Sequence, residues 1–189
     1  MSKQIRFLSN NKFKIKEVTS ILEEYDIEVL PLSAKIEELQ TNDVTHLVKD
    51  KALKAYKKIG RPLIVEHTGL YLENINNLPG GLTQIVWDSL LAEKFANIFG
   101  SNNHSSKAKA VTVVCYVDGK RFHFYKGEIT GYIIDSPRGN KDFQWDCVFI
   151  PEGKDVTFAE MGEAEKNSMS MRKKALIDFA NDFNKNSYE

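Results

Sequence analysis

The chain has 189 residues, 42% of them hydrophobic and 28% charged, with 26 acidic residues balanced by 26 basic ones. That length suits one domain over residues 1–189, or two closely packed lobes, and the ordinary composition excludes fibrous, repeat and disordered architectures. A formal net charge of zero gives no support to non-specific binding of polymeric nucleic acid or of an anionic membrane.

Gln4–Leu8 reads as a short strand, and Ile15, Val18, Ile21 and Leu22 then recur at helical spacing. Ser9, Asn10 and Asn11 stand between them as capping residues. A helix start just beyond a strand offers free N–H groups to an anion, with Lys12 and Lys14 as point charges. An ordinary capped surface helix is the equal alternative. Ile27–Leu30 predicts a second strand, stopped by Pro31. The acidic run Lys35–Gln40, with Glu37 and Glu38, predicts a loop that a metal could use or that simply faces water. Thr41–Asp43 caps a long amphipathic helix from Val44 to Ile59, closed by Gly60.

The apolar strand from Leu63 is expected to deliver Glu66, His67 and Thr68 at its end, where the chain turns through Gly69 into a second extended run. Acid, imidazole and hydroxyl at a strand end make a plausible chemical site, although solvated loop residues are the simpler account of the local pattern. Leu78–Gly81 predicts a turn. Ile85 to Ile98 carries a helical period up to Gly100, and Gly100–Ser106 is a polar loop. Ala110–Val117 and Arg121–Glu128 flank Asp118-Gly119 as a hairpin, and Gly131–Ile134 predicts a further edge strand. Phe143 to Ile150 follows a polar loop, and the tail from Ser168 buries Ala175, Leu176, Phe179, Ala180 and Phe183 as a terminal helix. Strand and helix alternate through the first half, which predicts an α/β fold with helices flanking a sheet.

Neither the two cysteines, Cys115 and Cys147, nor the four histidines at 46, 67, 104 and 123 are spaced as metal ligands. A reducing, cytoplasmic setting fits, and no run of about 18 apolar residues predicts a membrane span. Lys14, Lys51, Lys166 and Arg172 fall on four separate elements, each by default a solvated face. Phe143 and Trp145, beside Gln144 and Asp146, could stack on a base and bond its edge, or belong to the core.

Four pieces in order carry a resemblance: Ser9, Asn11, Lys14 and Glu17; Val65–Leu70 with Leu78-Pro79-Gly80; Pro137-Arg138-Gly139 with Asp142–Asp146; and Phe158–Met161 with Ala164–Asn167 and Arg172. Together they resemble the inosine triphosphate pyrophosphatase family, closer to its eukaryotic type. The resemblance implies an elongated mixed sheet, two lobes with a central nucleotide cleft, and a homodimer. It implies hydrolysis of deaminated purine nucleoside triphosphates (ITP, dITP, XTP) to monophosphate and pyrophosphate. By this likeness Glu66, His67 and Lys14 are catalytic. Ser9, Asn11, Lys14 and Lys51 hold phosphates; Thr68, Phe143, Gln144, Trp145, Asp146, Lys166, Met171 and Arg172 are the other substrate-binding residues. Glu38, Glu66 and His67 take the metal, magnesium (Mg2+) or manganese (Mn2+).

Three positions depart from the family pattern. His67 stands where the family has an aspartate, Met171 where it has a histidine, and Gln84 where close relatives have a lysine. Imidazole is a poor substitute for carboxylate on magnesium. A catalytically silent nucleotide-binding protein and a member with altered nucleotide or metal preference therefore stay beside the hydrolase as expectations.

Overall fold

The computed structural model describes residues 3–103 and 105–185, so His104 lies outside the described residues. Strands β1 (Lys3–Leu8), β2 (Ile27–Leu32), β3 (Leu63–Leu72), β4 (Leu78–Gly80), β5 (Lys107–Val117), β6 (Phe122–Ile133) and β7 (Phe149–Pro151) form one mixed sheet. Its order is β2-β1-β3-β5-β6-β7, with β4 also paired to β3. Helices α1 (Lys12–Glu23), α2 (Val44–Ile59), α3 (Thr83–Phe99), α4 (Glu163–Met169) and α5 (Met171–Lys185) flank it.

Period-two alternation sends neighbouring strand residues to opposite faces. Ile5, Phe7, Ile64, Val114 and Tyr116 pack with Val18, Ile21 and Leu22 of α1 and Ala175, Leu176 and Phe179 of α5. On the other face Leu63, Val65, Val113, Cys115 and Val117 pack with Leu47, Val48 and Ala52 of α2. A third cluster gathers Trp87 and Phe95 of α3 with Trp145, Phe149 and Phe158. These clusters support the two halves of an α/β fold, one around α1, α2 and α5 and one around α3.

Several element boundaries differ from the sequence expectation. β3 does not stop at Thr68; it runs through Gly69 to Leu72, because β5 pairs with it residue for residue from Leu63 opposite Val117 to Leu72 opposite Ala108. Pro31 lies inside β2, which is an edge strand where a missing N–H is tolerated. Gly131–Ile133 belongs to β6 rather than to a separate strand. Gln144–Cys147 forms a 3-10 turn before β7, and α4 had no strong apolar period to announce it. Within α3, Leu91 has φ 58° and ψ −179°, which bends one predicted helix into two segments.

One topological detail positions everything that follows. β1 pairs with β3 only at Arg6 and Phe7, opposite Leu63 and Ile64, and β4 pairs with it only at Leu70–Leu72. Between them, residues 65–69 have a strand neighbour on the β5 side alone among the described residues.

Candidate functional site

Glu66, His67 and Thr68 sit in that gap of the sheet. Alternation turns Glu66 and Thr68 towards α1 and α5 and turns His67 towards α2, so adjacent residues act from opposite faces. A cavity of about 250 Å³ opens here, lined by Ser9, Asn11, Lys14, Glu38, Lys51, Glu66, His67, Gln84 and Gln144 among others. The backbone carbonyl of Glu66, without a strand partner on this side, accepts a bond from Lys51 Nζ at 3.4 Å.

The α1 end of the cavity follows from its capping residues. Asn11 Oδ1 accepts from the N–H groups of Phe13 and Lys14 at 3.0 and 3.1 Å, while Ser9 Oγ accepts from Asn11 N–H at 3.2 Å. The helix start is thereby fixed facing the cavity, its positive dipole end towards any anion. Lys14 Nζ lies 2.7 Å from Glu66 Oε1. Burial drives the Lys14 pKa down, and the charges of Arg172 and Lys51 add to that, against the pull of Glu66.

Glu66 anchors this side on both oxygens: Lys14 holds Oε1, while Thr68 Oγ1 donates to Oε2 at 3.2 Å and Arg172 reaches it at 3.4 Å. Burial alone would raise its pKa; the charges of Lys14 and Arg172 outweigh it and hold the carboxyl well below the usual carboxylate range. Thr68 in turn shares a 2.6 Å hydroxyl contact with Thr112, its register partner on β5.

On the α2 face, His67 Nε2–H donates to the carbonyl of Gly81 at 3.1 Å. The carbonyl can only accept, which assigns the proton to Nε2 and leaves the Nδ1 lone pair facing Glu38 Oε2 at 3.9 Å. Burial, together with Lys14 and Lys51, lowers the His67 pKa to about 4 against the opposing pull of Glu38 and Glu66. His67 is therefore neutral at pH 7. Gly81 permits this contact, since a Cβ there would lie 2.3 Å from the Thr41 carbonyl. Glu38 bonds Lys51 through Oε1 at 2.5 Å, and although burial raises its pKa, Lys51 brings it below the ordinary value.

The three residues expected to hold a metal do not converge into a protein-only cage. Among the described residues no group of three or more His, Cys, Asp or Glu is spaced to bind a metal ion. Alternation separates the side chains of Glu66 and His67, and Glu66 is already bonded on both oxygens. The donor set still fits a magnesium ion that arrives with a triphosphate, since such ions take one or two carboxylates and complete their shell with phosphate oxygens and water. Glu38 Oε2 is the carboxylate oxygen facing that space; His67 contributes nitrogen.

A second cavity of about 300 Å³ is lined by Phe13 and Phe143, with Glu17, Asn140, Asp142, Asp146, Met161, Glu163 and Lys166 around it. Lys166 Nζ is bonded to Asp146 and, at 2.6 Å, to Glu17, and lies 4.1 Å from the centre of the Phe143 ring. Arg172 bonds the other oxygen of Glu17. Three carboxylates, Glu17, Glu66 and Asp146, thus balance Lys14, Lys166 and Arg172 in one buried network. Burial pushes Asp146 up to about 6, with Glu17 adding to the rise and Lys166 opposing it.

Trp145 and Met171 are not brought into either cavity. Both are packed in the core, Trp145 edge-on against Phe149 at 5.5 Å between centroids. Gln84 lines the first cavity and bonds Gln144 and, at 2.7 Å, Asp88. Sequence reasoning gave two participants no role in the site, although Glu17 stood in the first motif. Glu17 shares the buried face of α1 with Val18 and Ile21, so an acid at an apolar position was its signal. Phe13 lies off that face, an exposed aromatic in the first turn.

Comparison with known proteins matches residues 5–182 to the Ham1 family model. A dITP/XTP pyrophosphatase of Methanopyrus kandleri is 36% identical over 178 residues, covering 94% of each chain. An inosine triphosphate pyrophosphatase of Candida glabrata is 34% identical over 184 residues, 93% of this chain and 95% of its own. Among solved structures, a HAM1 protein from Coxiella burnetii superposes with a TM-score of 0.74 at 23% identity, covering 97% of this chain and all (100%) of its own.

Proposed function

The chain belongs to the Ham1 family, and from that membership we propose its reaction. It is a nucleoside triphosphate pyrophosphatase that hydrolyses deaminated purine nucleoside triphosphates to the monophosphate and pyrophosphate. Its relatives are named for that activity on dITP, XTP and inosine triphosphate, which disfavours a silent binding role. The observation that carries the reading within this chain is the Asp146–Lys166 pair lining the second cavity, linked through Glu17, Arg172 and Glu66 to Lys14 in the first. A 6-keto purine presents an N1–H donor next to an O6 acceptor, which meets a carboxylate acceptor next to an ammonium donor. Adenine presents the reverse pattern, and a site built on hydrogen bonds rejects a reversed partner strongly.

In the proposed reaction, water attacks the α-phosphorus, the bond to the α–β bridging oxygen breaks, and pyrophosphate leaves with that electron pair. The Ser9 hydroxyl, the Asn11 side-chain amide and the dipole of the α1 start meet phosphate oxygens, with Lys14 and Lys51 as cations. Thr68 and Arg172 keep Glu66 in place so that Lys14 stays aimed at the phosphates. His67, neutral and held by Gly81, offers Nδ1 as acceptor to the attacking water and orients it. Glu38 would be the carboxylate that the protein offers to a magnesium ion. Magnesium, when bound, neutralises triphosphate charge and polarises the bond to be cleaved.

Magnesium as the metal, a cytoplasmic location and a homodimer are proposed on the resemblance. Two free, buried cysteines suit a reducing compartment. Among the described residues no helix is long and apolar enough to cross a membrane. Pyrophosphate release from ITP, dITP and XTP with magnesium tests the reaction, and turnover no greater than that of a Glu38→Ala control would refute it. Light scattering on the eluted protein checks the dimer.

A further inference from the structure

The nucleotide reading above leaves the base without an open aromatic face. Phe143 is the aromatic side chain beside Asp146 that lines the second cavity, yet its ring is already engaged. Phe13 stacks on it with centroids 5.2 Å apart and planes 19° from parallel, and the Lys166 ammonium lies 4.1 Å from its centre. A purine stacked on Phe143 has to displace one of them.

The structure decides which. Lys166 is 5% exposed and bonded to both Glu17 and Asp146, so moving it would strand a buried charge. Phe13 is 45% exposed, and among the described residues its ring stacks on Phe143 alone. Its backbone is held by the Asn11 cap, so rotation of the side chain alone moves the ring while the helix start stays put. Two rings 5.2 Å apart leave no room for a third, because a base sandwiched between them needs roughly twice a 3.5 Å contact distance. Rotation of Phe13 by one side-chain torsion supplies that space.

We propose that Phe13 is a substrate-positioning residue, the movable wall of a clamp that closes the purine between its own ring and that of Phe143. Resting on the nucleotide reading, this adds a contact that no other described ring makes at the second cavity. In the free protein Phe13 covers Phe143; in the bound one it covers the base. Lys14 follows Phe13 in the same helical turn, so the groups meeting base and phosphate share one rigid start.

The test compares wild type with Phe13→Ala and Phe13→Trp, using ITP as substrate and inorganic tripolyphosphate as a base-free inhibitor. Loss of a stacking ring is expected to raise KM for ITP about tenfold to a hundredfold. The effect falls on KM rather than kcat, tripolyphosphate inhibition stays the same, and Phe13→Trp returns KM to near the wild-type value. A KM within twofold of wild type in Phe13→Ala overturns the clamp. So does an equal loss for tripolyphosphate, which would assign Phe13 to the helix start. If wild type turns over no deaminated purine triphosphate, the reaction itself fails. The clamp is then read from equilibrium binding of ITP by calorimetry, where equal affinities of wild type and Phe13→Ala, or no binding by wild type, refute it.

Discussion

Replacing His67 by aspartate tests how the gap in the sheet handles charge. Glu38 Oε2 stands 3.9 Å from His67 Nδ1, so a carboxylate at position 67 faces another at about that separation. Two unit charges at about 4 Å repel by about 4 kcal/mol at an effective dielectric of about 20. Lys51, bonded to Glu38, and Lys14, bonded to Glu66, offset most of this, and a net cost of about 1–2 kcal/mol remains. Loss of the Nε2–H donor to Gly81 adds about 1 kcal/mol. Without metal, the His67→Asp protein should therefore melt roughly 4–12 °C below wild type, at about 2–4 °C per kcal/mol for a chain of this size. Magnesium with nucleotide converts the repulsion into coordination: saturation at about a hundred times Kd stabilises by about 2.7 kcal/mol, recovering most of the loss. Magnesium-dependent kcat/KM should rise at least about tenfold, because a carboxylate then stands beside Glu38 where a neutral imidazole stood. Thermal melts with and without magnesium and a tripolyphosphate ligand, paired with pyrophosphate release, give both readouts. A variant whose melting ignores magnesium and whose kcat/KM is no higher than wild type would show that His67 works in a way an oxygen ligand cannot replace.

Other consequences follow from the same network. Asp146→Asn replaces the acceptor facing N1–H with a group that also donates, so the preference for ITP over ATP, measured as the ratio of kcat/KM values, should fall by about tenfold or more. Glu66→Gln leaves Lys14 and Arg172 without their shared counter-charge, and breaking such buried pairs costs about 3–5 kcal/mol; calorimetry should show a melting temperature lower by roughly 6 °C or more. Between pH 4.5 and 6, His67 and Asp146 pull stability in opposite directions. The folded pKa of His67 is depressed to about 4 from 6.5, so its contribution is full above 6.5 and fades as pH falls. That of Asp146 is raised to about 6 from 3.8, so its contribution is full below 3.8 and fades as pH rises towards 6. Wild-type stability should be nearly flat over that window. Asp146→Asn should make it climb with pH and His67→Asn should make it decline, as read by denaturant titration; parallel slopes in all three proteins would contradict the assignment.

The local signals of the chain announced its elements better than its site. Asn11, Asp43 and Gly60 mark helix ends through chemistry that acts within four residues, and the structure uses them as caps. Strand ends carry no such mark. Nothing in Glu66-His67-Thr68-Gly69 says that β5 will pair with all of it and hold the strand straight. The convergence of Lys14, Lys166 and Arg172 was equally illegible, because each pairs with a carboxylate 20 to 155 residues distant in sequence, at no period. The family resemblance brought these residues to notice without saying how they meet.

What joins the two levels is the unequal length of β1 and β3. β1 ends at Leu8 because the capping residues Ser9 and Asn11 turn the chain into α1, while β3 continues because β5 supports its other edge. The cap that starts the helix therefore also opens the gap in the sheet. An anion-binding helix start and a strand segment with one free edge arise from the same turn, and the polar residues of β3 become usable where that edge is free. Had β1 run four residues further, its ladder would have covered Glu66 to Thr68, and the same three side chains would have had no cavity to face.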